Sequence, residues 1–263
     1  MHYPLEFKLG SAHIPAHLLF EMLAYTIGYQ LYVCQRARSH DLISDDERMW
    51  IFLGAAAGAL IGSHLLGILE NPDYLVHLNW QIWLGNKTIV GGLLGGLIGV
   101  ELTKKIIGVN TSSGDLMTYP LLFGLSLGRI GCHLAGLTDG THGKPSDLPW
   151  AIDFGDGMLR HPVNLYEVFF LTVLAFLIFQ IEKKGPLPNG RRFQLFMMSY
   201  LLWRFAVEFI KPVWLLPMGI SPIQVAVLGG LLYYFGVWGQ EIIKINSRTE
   251  KQENHDRRNV PIK

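Results

Sequence analysis

The chain has 263 residues, half of them hydrophobic and only 16% charged, with a formal net charge of +1. Soluble domains average about 25% charged residues, and a near-neutral chain lacks the basic surface that nucleic-acid binding requires. Composition therefore excludes an ordinary soluble domain and a nucleic-acid partner, and points to a membrane protein. With only Cys34 and Cys132 there is no disulfide framework. The first ten residues, MHYPLEFKLG, lack the cleavage pattern of a signal peptide, so the first apolar segment is read as retained.

Seven apolar runs are long enough to cross a bilayer, at about 16–34, 50–68, 88–107, 116–134, 162–181, 193–210 and 221–242. The fold class is an all-α polytopic membrane protein with about seven transmembrane helices. Residues 1–242 are taken as one transmembrane domain with an outer functional loop at about 135–162. Residues 243–263 are taken as a polar cytoplasmic tail. Ser44-Asp45-Asp46-Glu47 reads as a capping box opening the second helix. In the third span, Gly91, Gly95 and Gly99 recur every fourth residue, as do Gly92 and Gly96. That stripe permits close helix packing, or it admits a lipid chain, which makes Gly95 and Gly96 substrate-binding candidates.

Lys and Arg concentrate on the cytoplasmic side of membrane proteins. With the C-terminus inside, the inner segments hold Arg36, Arg38, Arg48, Lys104, Lys105, Lys183, Lys184, Arg191, Arg192 and six more in the tail. The outer segments hold Lys8, Lys87, Lys144, Arg160 and Lys211. Fifteen against five sets the N-terminus out and the C-terminus in. Cys34 and Cys132 then lie toward opposite faces and both are expected to be free.

Ionisable residues within spans are costly and mark functional sites by default. The fourth span ends in GRIGCHLAGLTDGTHG (128–143). Arg129 has the planar fork that grips phosphate, and Gly128 and Gly131 leave room for backbone and headgroup to meet. In WRFAVEF, Arg204 and Glu208 are four apart and share a helix face. They are either a buried ion pair or an anion contact with its orienting carboxylate. In RHPVNLYE (160–167), Pro162 suits the first turn of a helix. Arg160 and His161 would stand at its mouth, with Tyr166 and Glu167 about one turn inside. Asp139-Gly140 and Asp156-Gly157 read as turns, and Trp150 as an interfacial anchor. Spacing in this loop matches no metal cage, so neither metal nor other cofactor is expected. His17, Glu21 and His64 are read as polar groups satisfied between helices.

Taken together, GGLIGV (95–100), GRIG (128–131), RHPVNLYE (160–167) and RFAVEFIKP (204–212) resemble, in order and spacing, the prolipoprotein diacylglyceryl transferases of bacteria. The likeness runs from about residue 17 to 242. It implies a multi-pass protein of the bacterial cytoplasmic (inner) membrane with its active site toward the outer face. Phosphatidylglycerol would be the lipid donor, and the lipobox cysteine thiol of exported prolipoprotein precursors the acceptor. The family's signature resembles G-R-x-G-N-F-x-N-x-E-x-x-G. Gly128, Arg129, Gly131 and Gly140 match it, whereas Cys132, His133, Ala135 and Leu137 replace Asn, Phe, Asn and Glu. Leu94 stands where the family has a histidine. On this reading Arg129 and Arg204 hold the phosphodiester, Glu208 orients, Asp139 stands in for the missing carboxylate, and His161 is the chosen base. Gly128, Gly131, Arg160 and Tyr166 line the substrate. The departures leave two alternatives open: a same-fold lipid transferase with another acceptor, and a non-catalytic lipid-binding membrane protein.

Overall fold

A computed structural model describes residues 3–9, 12–39, 41–71, 73–76 and 80–237. The polar tail and the end of the last expected span lie outside them. The chain is predominantly helical. A hairpin of β1 (Glu6–Leu9) and β2 (Ala12–Pro15) leads into α1 (Ala16–Arg38). There follow α2 (Asp45–Leu69), the short α3 (Asp73–Val76) and α4 (Trp80–Gly85), α5 (Ile89–Ile107) and α6 (Thr118–Ala135). A second hairpin, β3 (Ile152–Asp153) with β4 (Leu159–Arg160), precedes α7 (Val163–Lys184), α8 (Arg191–Val207) and α9 (Pro222–Val237). Helices thus stand in all seven apolar runs, the last described only over Pro222–Val237 and shorter than the others. Helix α2 and segments 115–139, 163–184 and 191–210 are long and apolar enough by themselves to cross a membrane. Neither the two hairpins nor α3 and α4 were expected. Six residues of helix rise only about 9 Å, so α4 cannot span and instead fills the α2–α5 connection.

Local chemistry explains the boundaries. The capping box is formed: Ser44 Oγ accepts from the Glu47 amide and Glu47 Oε2 accepts from the Ser44 amide at 2.9 Å. Helix α5 starts on Thr88, whose hydroxyl accepts from the Gly91 amide, and stops at Gly108 with φ +78°. A side chain there would be strained, so glycine ends the helix. After α6, left-handed Gly136 and Gly140 close the helix and the following 3-10 turn.

The glycine stripe of α5 meets a matching stripe on α2. A Cβ on Gly95 would stand 2.3 Å from the Gly58 carbonyl oxygen; Gly91 is equally tight against Gly62, and Gly99 against Gly54. The two helices run antiparallel at backbone contact. This corrects the substrate-binding reading of Gly95, because its open face is filled by α2. Gly96 also faces α2, at ordinary contact distance from Ala55 and Ala59. Gly95→Ala is therefore expected to cost about 1–3 kcal/mol through overpacking, and Gly96→Ala no more than about 0.5 kcal/mol. Denaturant unfolding of the two variants in detergent checks this ordering.

The core gathers Phe196, Met197, Tyr200 and Leu201 of α8 against Leu171, Leu174 and Ile178 of α7, and Ile223, Val227 and Leu231 of α9. The outward faces remain apolar, as at Met22, Tyr25, Phe169, Phe176 and Leu232, which suits helices solvated by lipid. Connections 41–44, 108–117 and 185–190 meet at one end. There Arg48 grips Asp41 through two nitrogens (2.7 and 2.8 Å) and donates to the Ser113 carbonyl. Asp115 receives the Gly190 and Phe193 amides. The opposite end holds the groups described next.

Candidate functional site

Three helices bring their buried charges to one point. Arg129, near the end of α6, places Nε 3.0 Å from Glu167 Oε2 on α7. Arg204 of α8 reaches the same oxygen at 3.6 Å through Nη1 and donates to Glu208 Oε1 through Nη2 at 2.7 Å. The Tyr200 hydroxyl donates to Glu167 Oε1 at 2.7 Å. Glu208 lies in a 3-10 turn that tightens the end of α8, and its second oxygen accepts from the Ser221 hydroxyl at the start of α9. Glu167 is wholly buried, and Arg129, Arg204 and Glu208 are almost so. Charges this far from water persist only when paired. Here each carboxylate is matched by a guanidinium.

The network does not saturate Arg129. Its terminal nitrogens make no hydrogen bond among the described residues; its ion-pair partner is Glu167, whose Oε2 lies 3.0 Å from Nε. Gly128 beside it has open space where a side chain would be. Gly131 differs: a Cβ there would press on Phe20 and His17 of α1, so this glycine serves helix packing rather than substrate. Arg204 and Glu208 form the expected i, i+4 ion pair, and Arg204 additionally shares Glu167 with Arg129. Lys211 and Glu70 border the cluster. Burial, reinforced by Arg204, lowers the Lys211 pKa, and burial raises that of Glu70 against the pull of Lys211.

The loop between α6 and α7 lies over the same end. Lys144 docks it to the end of α8, its amide donating to the Ile210 carbonyl and its ammonium to that of Phe209. The Asp139 carboxylate takes the Thr141 hydroxyl, which also meets Asn164 Oδ1 at 3.1 Å. Asn164 and Glu167 are three apart on α7 and share its inward face. His161 Nδ1 stands 3.3 Å from the Tyr166 hydroxyl, which accepts from Trp150 Nε1 at 2.7 Å. Pro162 caps α7, leaving His161 just outside the helix, half-buried.

Arg160, expected at the substrate, supports the loop in this structure. Both its terminal nitrogens bond Asp156 at 2.6 Å, and one also donates to the Met158 carbonyl. The Arg160 hydrogen bonds hold the Asp156 carboxyl down to about 2. Asp153 Oδ1 accepts three amides, from Gly155, Asp156 and Gly157, and so folds the turn read from the sequence.

A third group sits where α1 meets α6. His17, Cys132 and Asp139 place a nitrogen, a sulfur and an oxygen within 4.8 Å of one another. His17 Nδ1 is 3.7 Å from Asp139 Oδ1 and is buried without a hydrogen bond among the described residues. Its Nε2 lies 3.9 Å from the Glu21 carboxylate. These atoms can ligate a metal, a possibility that spacing within the loop did not reveal because His17 comes from the opposite end of the sequence. His64, by contrast, is satisfied structurally: its ring bonds the Asn86 carbonyl at 2.9 Å and stacks on Trp83. Both cysteines are free.

Sequence reasoning missed Tyr200 and undervalued Glu167. The available signal for Glu167 was a carboxylate inside an apolar run; nothing local marks Tyr200.

The family described as prolipoprotein diacylglyceryl transferase matches residues 4–239. Three similar proteins all carry the name phosphatidylglycerol–prolipoprotein diacylglyceryl transferase. That of Mannheimia succiniciproducens is 32% identical over 223 residues, 79% of this chain and 79% of that protein. That of Geobacter sulfurreducens is 31% identical over 216 residues, 79% and 82% of the two chains. With the protein from Pasteurella multocida the identity is 32% over 166 residues, covering 62% of this chain and 59% of that protein's length.

Proposed function

The chain belongs to the prolipoprotein diacylglyceryl transferase family, and from that premise we propose that it moves the diacylglyceryl group of phosphatidylglycerol to the lipobox cysteine thiol of prolipoproteins. The observation that carries this reading is the buried Arg129–Glu167–Arg204–Glu208 network, in which the terminal nitrogens of Arg129 make no hydrogen bond among the described residues. A phosphodiester fits that fork, which donates two parallel hydrogen bonds to two oxygens. The thiolate sulfur attacks the glycerol carbon that carries the phosphate. The carbon–oxygen bond breaks, a thioether forms, and glycerol phosphate leaves with the electron pair. Arg129 and Arg204 stabilise the charge that grows on the leaving phosphate, while Glu167 and Glu208 keep the two guanidiniums in place. Gly128 gives the headgroup room. His161, whose Nε2 has no partner among the described residues, takes the thiol proton, and Tyr166 orients its ring. Asp139 borders the acceptor's approach.

On this reading the protein lies in the bacterial cytoplasmic membrane, crosses it about seven times, and turns its N-terminus and charge network outward. The clustering of basic residues in the connections assigned inward supports that orientation. In cells depleted of their own transferase, the chain is expected to restore thioether lipidation of prolipoproteins. If it inserts normally yet no precursor gains lipid, the reading fails. Lipid transfer to a non-thiol acceptor would favour a same-fold enzyme with a different acceptor.

A further inference from the structure

The geometry points to a divalent-metal centre of the zinc class at His17, Cys132 and Asp139, with an open fourth position that takes the acceptor thiol as a thiolate. The ligand set has the composition that zinc prefers: imidazole nitrogen, thiolate sulfur and carboxylate oxygen. The three residues come from α1, from the last turn of α6 and from the 3-10 turn after it, so the tertiary fold assembles them. Their donor atoms lie within 4.8 Å of one another. Tetrahedral ligands at about 2.0–2.3 Å from zinc stand about 3.3–3.8 Å apart, a contraction that side-chain rotation supplies.

Three further features fit a metal better than a simple hydrogen-bonded cluster. His17 Nδ1 is buried and makes no hydrogen bond among the described residues, with Asp139 Oδ1 3.7 Å away, beyond hydrogen-bond reach. The other ring nitrogen points toward Glu21, and a carboxylate behind a ligating imidazole fixes its tautomer and raises its basicity. One oxygen of Asp139 is held by Thr141, which leaves Oδ1 turned toward His17. Beside the group lies a cavity of about 360 Å³ lined by Leu5, Pro15, Ala16, His17, Thr138 and Asp139, an entry path for a fourth ligand.

The chemical role rests on the transferase reading. A thiol that coordinates zinc loses its proton outright, so the bound acceptor is already the thiolate that the reaction needs. The proton released on coordination passes to His161, the base named above, and from it to water. Cys132 follows Arg129 by three residues on α6, about 4.5 Å along the axis. The nucleophile would thus stand about one turn from the guanidinium that holds the leaving phosphate. The thiolate then alkylates at the glycerol carbon, the sulfur loses affinity for the metal as it becomes a thioether, and product departs with no change of oxidation state.

The test uses the full chain in lipid-free detergent, stripped with chelator. Titration with zinc is expected to give one bound ion per chain, and cobalt(II) to give a thiolate-to-metal absorption band. Cys34→Ser should leave both unchanged. Cys132→Ser should remove the band, and Glu21→Gln should weaken zinc about 10–100-fold. Adding a lipobox cysteine peptide should shift the cobalt spectrum, and its serine analogue should not. Absence of stoichiometric zinc on the wild-type chain overturns the site whatever the variants do. A cobalt spectrum indifferent to the cysteine peptide overturns the open position. Transfer by metal-free protein at an undiminished rate overturns the role and leaves the transferase reading intact. A thiol-responsive spectrum without transfer in any metal state defeats the transferase reading and the role resting on it, while the metal centre stands.

Discussion

Arg129→Ala is expected to lower diacylglyceryl transfer by about 10²–10³-fold, the loss that follows removal of one preorganised donor from a developing oxyanion. Arg129→Lys should recover only a small part of this, because an ammonium replaces charge but not the two-nitrogen fork. The buried network predicts that the protein survives the change: Glu167 retains the Tyr200 hydroxyl at 2.7 Å and Arg204 at 3.6 Å. Initial rates with phosphatidylglycerol and a lipobox peptide, read beside thermal unfolding in detergent, separate the two effects. Near-wild-type transfer by Arg129→Ala would remove this residue from the site.

Glu167→Gln should show the opposite balance, with stability lost first. Glu167 is the carboxylate that Arg129 and Arg204 share, and it is wholly buried. Without its charge the two guanidiniums face one another across an apolar interior. Breaking a buried ion pair by removing one partner costs about 3–5 kcal/mol, so the variant is expected to lose that much unfolding free energy and to transfer lipid poorly because both arginines are displaced. Denaturant titration checks the first, and a rate assay at low temperature, where the variant is still folded, checks the second. Wild-type stability would mean that water or another group already compensates the arginines.

Much of the fold is legible along the chain because hydrophobic run length and capping chemistry are local. The seven apolar runs each hold a helix, Ser44 and Glu47 form their box, and the turns at Asp139-Gly140 and Asp156-Gly157 occur where glycine permits a left-handed backbone. Membership of the family is legible for the same reason, since its motifs are short and ordered. The sequence also identifies Arg129, Arg204 and Glu208 as costly charges inside apolar helices.

What it does not determine is which charges and which surfaces meet. Helical periodicity fixes a residue's own face but not the helix opposite it. Gly95 looks open in sequence and is closed by Gly58 of α2, while Gly128, with similar local context, stays open. Arg160 looks free at a helix mouth and is taken by Asp156. Glu167 becomes the centre of the network only because α6 and α8 each present an arginine to α7. His17 joins Cys132 and Asp139 only because α1 crosses the end of α6. Side chains from distant segments acquire a shared electrostatic and coordination environment only when packing brings them within a few ångströms, and that distance exists in the tertiary structure alone.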